Sequence, residues 1–405
     1  MKKISLIIIY FILIIYTIET LLFLFTPQRI YSMNDLKNKR IEIAKQKGLE
    51  FDTRSPKEAF LEISKNDKDL KPKFFYSPIF KFSNIFQIAK KNNDIIPFRG
   101  PINSKTLSCA EEGKYNLNKS DKFGFKNSNA IYKKEINTIL LGDSLAEGDC
   151  QSIENDIAGS LSSRGFSTAN FGVTGTSVLV ALGIMREFAK EIKPKNFVYM
   201  YAEENDLFGL NWSKKDENLM KYLNNEYNVN YLNRYNEIKD YLELSSKETI
   251  SRIKSNDKIN SKSNFEIFKD NLIDILEVKR IKKLIRYKIF NKKHFETDLD
   301  LFFLVVKKMN EEAKRNNSNF IFVYTPTSAR YFSVSEQVSP EINQQMKLKK
   351  IILDKIRNMD ITTVDLTEFF DNVSSVEQYF SLGYFGHFNA KGYKKVAEII
   401  STSLN

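Results

Sequence analysis

After Phe125 short apolar runs alternate with amphipathic stretches, and this alternation limits the fold more than any other feature of the chain. Residues 136–141 read as a buried strand, 156–164 as a helix and 167–171 as a second strand. An amphipathic helix over 178–192 stops before Pro194, and a third apolar strand covers 197–201. Such βαβαβ order predicts a parallel sheet with helices on both faces. Residues 210–293 are rich in Lys, Asn, Glu and Tyr at helical spacing, which predicts a helical insertion. The alternation then resumes with a helix over 299–315, a strand over 319–324, a helix over 342–359, a short strand over 362–365 and a terminal helix over 390–403. Five strands result.

The N-terminal segment has a different character. Met1, Lys2 and Lys3 precede an apolar run, residues 4–25, whose only strongly polar member is Glu19. At 1.5 Å per residue such a run is long enough to cross a hydrocarbon core about 30 Å thick. It predicts a transmembrane anchor over residues 1–26; the competing reading is a cleaved signal peptide, although no small-x-small site precedes Pro27. The lysines place the N-terminus in the cytoplasm, so the remaining chain is expected outside the inner membrane, held by a single pass. Residues 27–98 are expected to form a stalk and a covering segment, and residues 99–405 the main domain.

Outside the cytoplasm paired thiols tend to be oxidised. Cys109 and Cys150 are the only cysteines. They either bridge, closing a loop of about 40 residues, or stay two separate buried thiols. Their spacing does not suit zinc and the chain has only two histidines, so neither metal nor cofactor is expected. The formal charge of +12 comes from scattered lysines rather than a stripe, so nucleic acid is not an expected partner.

Gly142, Asp143 and Ser144 stand where the first strand ends, which carries the serine hydroxyl to the carboxyl edge of the sheet, where α/β folds bind ligands. A serine nucleophile needs a base. Of the two histidines, His294 lies in the lysine-rich end of the insertion and reads as a surface residue, whereas His387 directly precedes the terminal helix and belongs at the same sheet edge. Acyl transfer also needs donors for the developing oxyanion. The backbone N–H of Ser144, the glycine turn at residues 170–175 and the amide of Asn205 after the third strand supply them.

Four such blocks, in this order, resemble those of the SGNH (GDSL-type) hydrolases. The resemblance implies a flavodoxin-like three-layer α/β sandwich with a five-stranded parallel sheet, in which Ser144 is the nucleophile and His387 its base. It also implies an oxyanion hole of Ser144 N–H, Gly175 N–H and Asn205, with Glu203 standing where the superfamily has glycine. One position departs from the pattern. The aspartate usual two or three residues before the histidine is replaced by Phe385 and Tyr384. A backbone carbonyl, or an acid from another loop such as Asp371 or Glu377, is expected to orient the ring instead.

The likeness extends to membrane-anchored members linked to bacterial surface-polysaccharide modification. They carry a cysteine before a Ser-Asp-x-x-Gly-Phe stretch, here Cys109 before residues 120–125, and another after the nucleophile, here Cys150. A disulfide pinning the Ser144 loop is implied. So is a membrane-anchored extracytoplasmic serine esterase or O-acyltransferase acting on acyl esters, with O-acetyl groups of a surface glycan as substrate. The alternative is a non-catalytic glycan-binding or scaffold domain that kept the fold. The insertion is expected to be a solvated lid, or a docking surface for a membrane acyltransferase partner.

Overall fold

The computed structural model describes residues 2–25, 33–75, 96–255, 269, 272–332 and 345–404. Strands β1 (Thr138–Gly142), β2 (Thr168–Asn170), β3 (Asn196–Ala202), β4 (Asn319–Thr325) and β5 (Thr362–Asp365) form one sheet. Its order is β2-β1-β3-β4-β5 and every pair is parallel. This is the flavodoxin-like order, in which chain direction across the sheet reverses beside β1 and leaves a crevice at the carboxyl ends of β1 and β3.

The strand sequences explain the layers. Successive side chains on a strand face opposite ways, so Phe197, Tyr199 and Tyr201 of β3 and Phe320, Phe322 and Tyr324 of β4 enter one core. Val198, Met200, Ile321 and Val323 enter the other.

The helices follow from this division. Those that bear on the site and the core are α1 (Lys2–Phe25), α2 (Met33–Gln46), α3 (Ser144–Glu147), α4 (Ile157–Ser163), α5 (Val178–Ile192), α6 (Tyr235–Ser255), α7 (Lys279–Arg315), α8 (Lys349–Arg357) and α9 (Ala390–Ser401). Helices α5, α7 and α8 cover the aromatic face, where Leu182, Val306 and Ile352 are buried. On the aliphatic face α4 and α9 pack through Leu161, Val396 and Ile400. Each fully buried side chain of this kind contributes about 1.5–3 kcal/mol.

The insertion contains α6 and the first half of α7. Helix α7 passes unbroken through residue 293 and enters the core at Phe302 and Val305. Insertion and core therefore share one helix. The side chain of His294 lies outside the described residues, as do residues 342–344 of the helix expected over 342–359.

Counted over the described residues, no helix is long and apolar enough to cross a membrane. The transmembrane span expected over residues 1–26 is thus not found. The apolar run does form α1, but its polar positions are used for docking on the insertion. Glu19 is buried and accepts the backbone N–H groups of Arg280 and Ile281 at 2.8 and 2.9 Å. A carboxylate there answers the positive end of α7. The Tyr16 hydroxyl donates to the Leu276 carbonyl at 3.2 Å, and the Arg280 guanidinium lies 4.4 Å from the Phe23 ring centre. Leu6, Ile9, Phe11, Leu13 and Leu24 remain exposed.

The segment expected as a stalk lies against the main domain. From α2 Arg40 donates to the Phe385 carbonyl at 3.0 Å, and just beyond it Lys47 donates to the Leu382 carbonyl at 2.7 Å. Residues 76–95 of the expected covering segment lie outside the described residues. A small sheet follows, in which Lys105–Leu107 pairs antiparallel with Leu117–Lys119. The intervening loop carries Cys109 and Glu111 toward the crevice.

Candidate active site

Strand β1 ends on Gly142, whose φ is +141°. A Cβ there would lie 2.7 Å from the Met200 carbonyl oxygen and 2.9 Å from the Ala146 Cβ, so only glycine lets the chain turn this closely. Asp143 caps α3 by accepting the Leu145 N–H at 2.9 Å, and Ser144 becomes the first helical residue. Ser144 is buried, with 6% of its surface exposed.

His387 reaches the Ser144 hydroxyl from the C-terminal side. Phe388 anchors it by burial in the aliphatic core, stacked on Phe370 at 5.1 Å. Asn389 caps α9 through the Gly392 N–H at 2.9 Å. Between those fixed neighbours the ring places Nε2 2.9 Å from Ser144 Oγ.

Its other nitrogen, Nδ1, lies 3.2 Å from Oε2 of Glu111, which also accepts the His387 backbone N–H at 2.8 Å. A carboxylate has no proton to offer, so Nδ1 carries the hydrogen and Nε2 faces the serine. Burial pushes the Glu111 carboxyl up, but the charges of His387 and Arg40 overcome this and hold it at about 2. Burial pulls the imidazole down, yet Glu111 first and Asp149 and Asp143 after it carry its pKa to about 9.

Neither acid suggested by the sequence performs this role. Asp371 is exposed and accepts from the Tyr331 hydroxyl at 2.9 Å, and Glu377 is exposed on the turn Val376–Tyr379. No backbone carbonyl is needed at Nδ1 either. Glu111 was missed because it lies 276 positions from His387. One signal was present: it follows Cys109 by two residues, and Cys109 is bonded to Cys150 just beyond Ser144. Cys150 Sγ lies 3.6 Å from His387 Nδ1. Among the described residues, the one group close enough together to hold a metal ion is Cys109, Cys150 and His387. The disulfide and the Ser144–His387–Glu111 line already occupy those atoms.

The expected oxyanion donors lie on loops tied to the turn bearing Ser144. Asn205 Nδ2 donates to Asp143 Oδ2 at 2.7 Å. A carboxamide nitrogen carries two hydrogens, so this bond orients the group and leaves a second N–H. Burial raises the pKa of Asp143. Gly175, at φ +66°, lies on a loop held to α3. Val173 N–H donates to the Gly142 carbonyl at 2.9 Å, and Glu147 accepts both the N–H and the hydroxyl of Thr174 at 2.8 and 2.6 Å. At Gly172 a Cβ would come within 2.3 Å of the Glu147 nitrogen.

Glu147 also pairs with Lys73 at 2.5 Å and Arg99 at 2.7 Å. Against burial, which raises it, these two cations lower its pKa. Lys73 further contacts Asp149 at 3.2 Å. Lys73 and Arg99 thus neutralise the carboxylates beneath the turn bearing Ser144. Glu203, two residues before Asn205, is fully buried and accepts from the Tyr324 hydroxyl at 2.6 Å and the Thr327 N–H at 3.0 Å. It joins the loops after β3 and β4.

No protein-family model and no curated protein matches this chain. Solved structures similar to it include a protein assigned to the lipolytic G-D-S-L family from Desulfitobacterium hafniense, at 14% identity, covering 66% of this chain and 99% of that one with a TM-score of 0.37. A GDSL-like lipase from Bacteroides thetaiotaomicron is 13% identical over 67% and 88%, with a TM-score of 0.34. A protein assigned as an acylhydrolase from Bacteroides fragilis is 14% identical over 67% and 87%, also at 0.34. Likeness at this level assigns no activity to the chain.

Proposed function

We propose that the chain is a serine esterase or O-acyltransferase in which Ser144, His387 and Glu111 act as a triad. The observation carrying this reading is the line of contacts from Ser144 Oγ to His387 Nε2 at 2.9 Å and from Nδ1 to Glu111 at 3.2 Å. In the reaction His387 takes the Ser144 proton as Oγ attacks the acyl carbonyl, then returns it to the leaving alcohol. Glu111 holds the tautomer and stabilises the imidazolium. Ser144 N–H, Gly175 N–H and Asn205 receive the oxyanion, each such donor commonly worth about 2.7–4 kcal/mol of barrier. Water or a hydroxyl acceptor then releases the acyl group. Because Glu111 raises the ring pKa to about 9, the neutral base gains population as pH rises, and activity is expected to increase on the alkaline side.

Location and substrate extend the same proposal. The Cys109–Cys150 bond suits an oxidising compartment outside the cytoplasm. The exposed apolar surface of α1 suits attachment to a membrane. An O-acetylated surface glycan is the proposed substrate by motif resemblance alone. The scaffold alternative drew its strength from a missing acid, and Glu111 removes that reason.

The test is labelling of the purified full chain with a serine-directed phosphonate together with hydrolysis of a small acetyl ester. Stoichiometric labelling that disappears in Ser144→Ala supports the reading. A folded protein left unlabelled, with no turnover between pH 7 and 10, overturns it.

A further inference from the structure

Two oxygens of one carboxylate are used for different purposes at Glu111. Oε2 takes the His387 backbone N–H at 2.8 Å and lies 3.2 Å from Nδ1. Oε1 accepts from Arg40 Nη2 at 2.7 Å, and that same nitrogen donates to the Phe385 carbonyl at 3.0 Å. Arg40 therefore holds both the acid and the strand of chain that delivers the imidazole. Gly386 lies between them, and a Cβ there would come 2.5 Å from Glu111 Oε2 and 2.8 Å from Arg40 Nη2. The ion pair is close-packed against the turn before His387.

We propose that Arg40, on the N-terminal helix α2, is a positioning residue for the reaction, setting the rotation of the Glu111 carboxylate so that one oxygen faces the imidazole. The inference rests on the assignment of Ser144, His387 and Glu111 above. Both side chains of the pair are only 11% and 10% exposed, so water competes little for either and their mutual orientation is firmly held. A buried ion pair is a poor device for stability alone, since apolar side chains of similar volume often serve as well. Here its geometry is directed at one ring nitrogen. The consequence is that Arg40, 71 positions before Glu111, brings α2 into the reacting assembly.

The experiment is a double-mutant cycle in the full chain with p-nitrophenyl acetate. Arg40→Ala is expected to lower kcat on the order of 10- to 100-fold, the usual scale for a misplaced group, with KM within about twofold. In a Glu111→Gln background the same change should cost several-fold less, because the route through Glu111 is already lost and only the hold on the Phe385 carbonyl remains. Arg40→Lys, which keeps the charge, should recover part of the rate and serves if Arg40→Ala does not fold. Equal losses in both backgrounds overturn the proposal.

If wild type does not hydrolyse the ester, phosphonate labelling decides the functional assignment separately and imidazole NMR decides on Arg40. With only two histidines in the chain, His294→Asn identifies the His387 signals. A hydrogen-bonded Nδ1 proton lost in Arg40→Ala supports positioning, and one left unchanged refutes it.

Discussion

Glu111 and His387 lie 276 positions apart in the chain and 3.2 Å apart at the crevice. The contact is made by a hairpin loop outside the main sheet with a turn just before the last helix. It turns a serine–histidine pair into a three-part line with a defined tautomer.

Replacing Glu111 by Gln removes the charge while keeping the volume. The expected result is a fall in kcat of up to about 10⁴, the scale seen when a triad acid becomes an amide. The pH at half-maximal kcat/KM should also drop from about 9 toward 6.5, since Glu111 is the leading source of the raised value. Ester hydrolysis across pH 6–10 measures both.

Wild-type activity should rise with pH as His387 loses its proton through about 9. Stability should move the other way. A histidine whose pKa is raised on folding contributes stability that is complete below its ordinary 6.5 and is lost as pH rises through about 9. Glu111, depressed from 4.5 to about 2, contributes stability above 4.5 that is lost as pH falls through about 2. Melting temperatures of wild type and His387→Asn between pH 6 and 10 test this, the variant lacking that alkaline decline.

Breaking the Cys109–Cys150 bond should affect stability and rate together. The bond closes a separation of 41 residues, for which loop entropy gives about 4 kcal/mol. Cys109 also holds the loop bearing Glu111. Paired Cys→Ala changes, assayed by urea unfolding and ester turnover, should lower the unfolding midpoint and kcat at once. Full turnover in a destabilised variant would separate the disulfide from the site.

Gly172→Ala places a methyl 2.3 Å from the Glu147 nitrogen. The loop bearing Gly175 must move away from α3, at a cost of about 1–3 kcal/mol and with a fall in kcat larger than any change in KM. Thermal unfolding and steady-state kinetics check the two effects.

The sheet was legible because its strands are short apolar runs closed by helices; the strand expected over 319–324 is Asn319–Thr325. Ser144 and His387 were legible for a related reason, as each lies beside the end of a regular element. Glu111 belongs to no such element. Its place is set by a covalent bond at Cys109 and an ion pair from α2, and periodicity records neither. The N-terminal run shows the converse: hydropathy registers its apolar length, whereas the partners of Glu19, 261 and 262 positions away, leave no local trace.

Glu19 terminates on the first turn of α7, and α7 continues without a break to Phe302 and Val306 beneath the sheet. A force or tilt applied to the N-terminal helix is therefore conveyed along a strut into the crevice-bearing layer instead of dissipating in a slack tether.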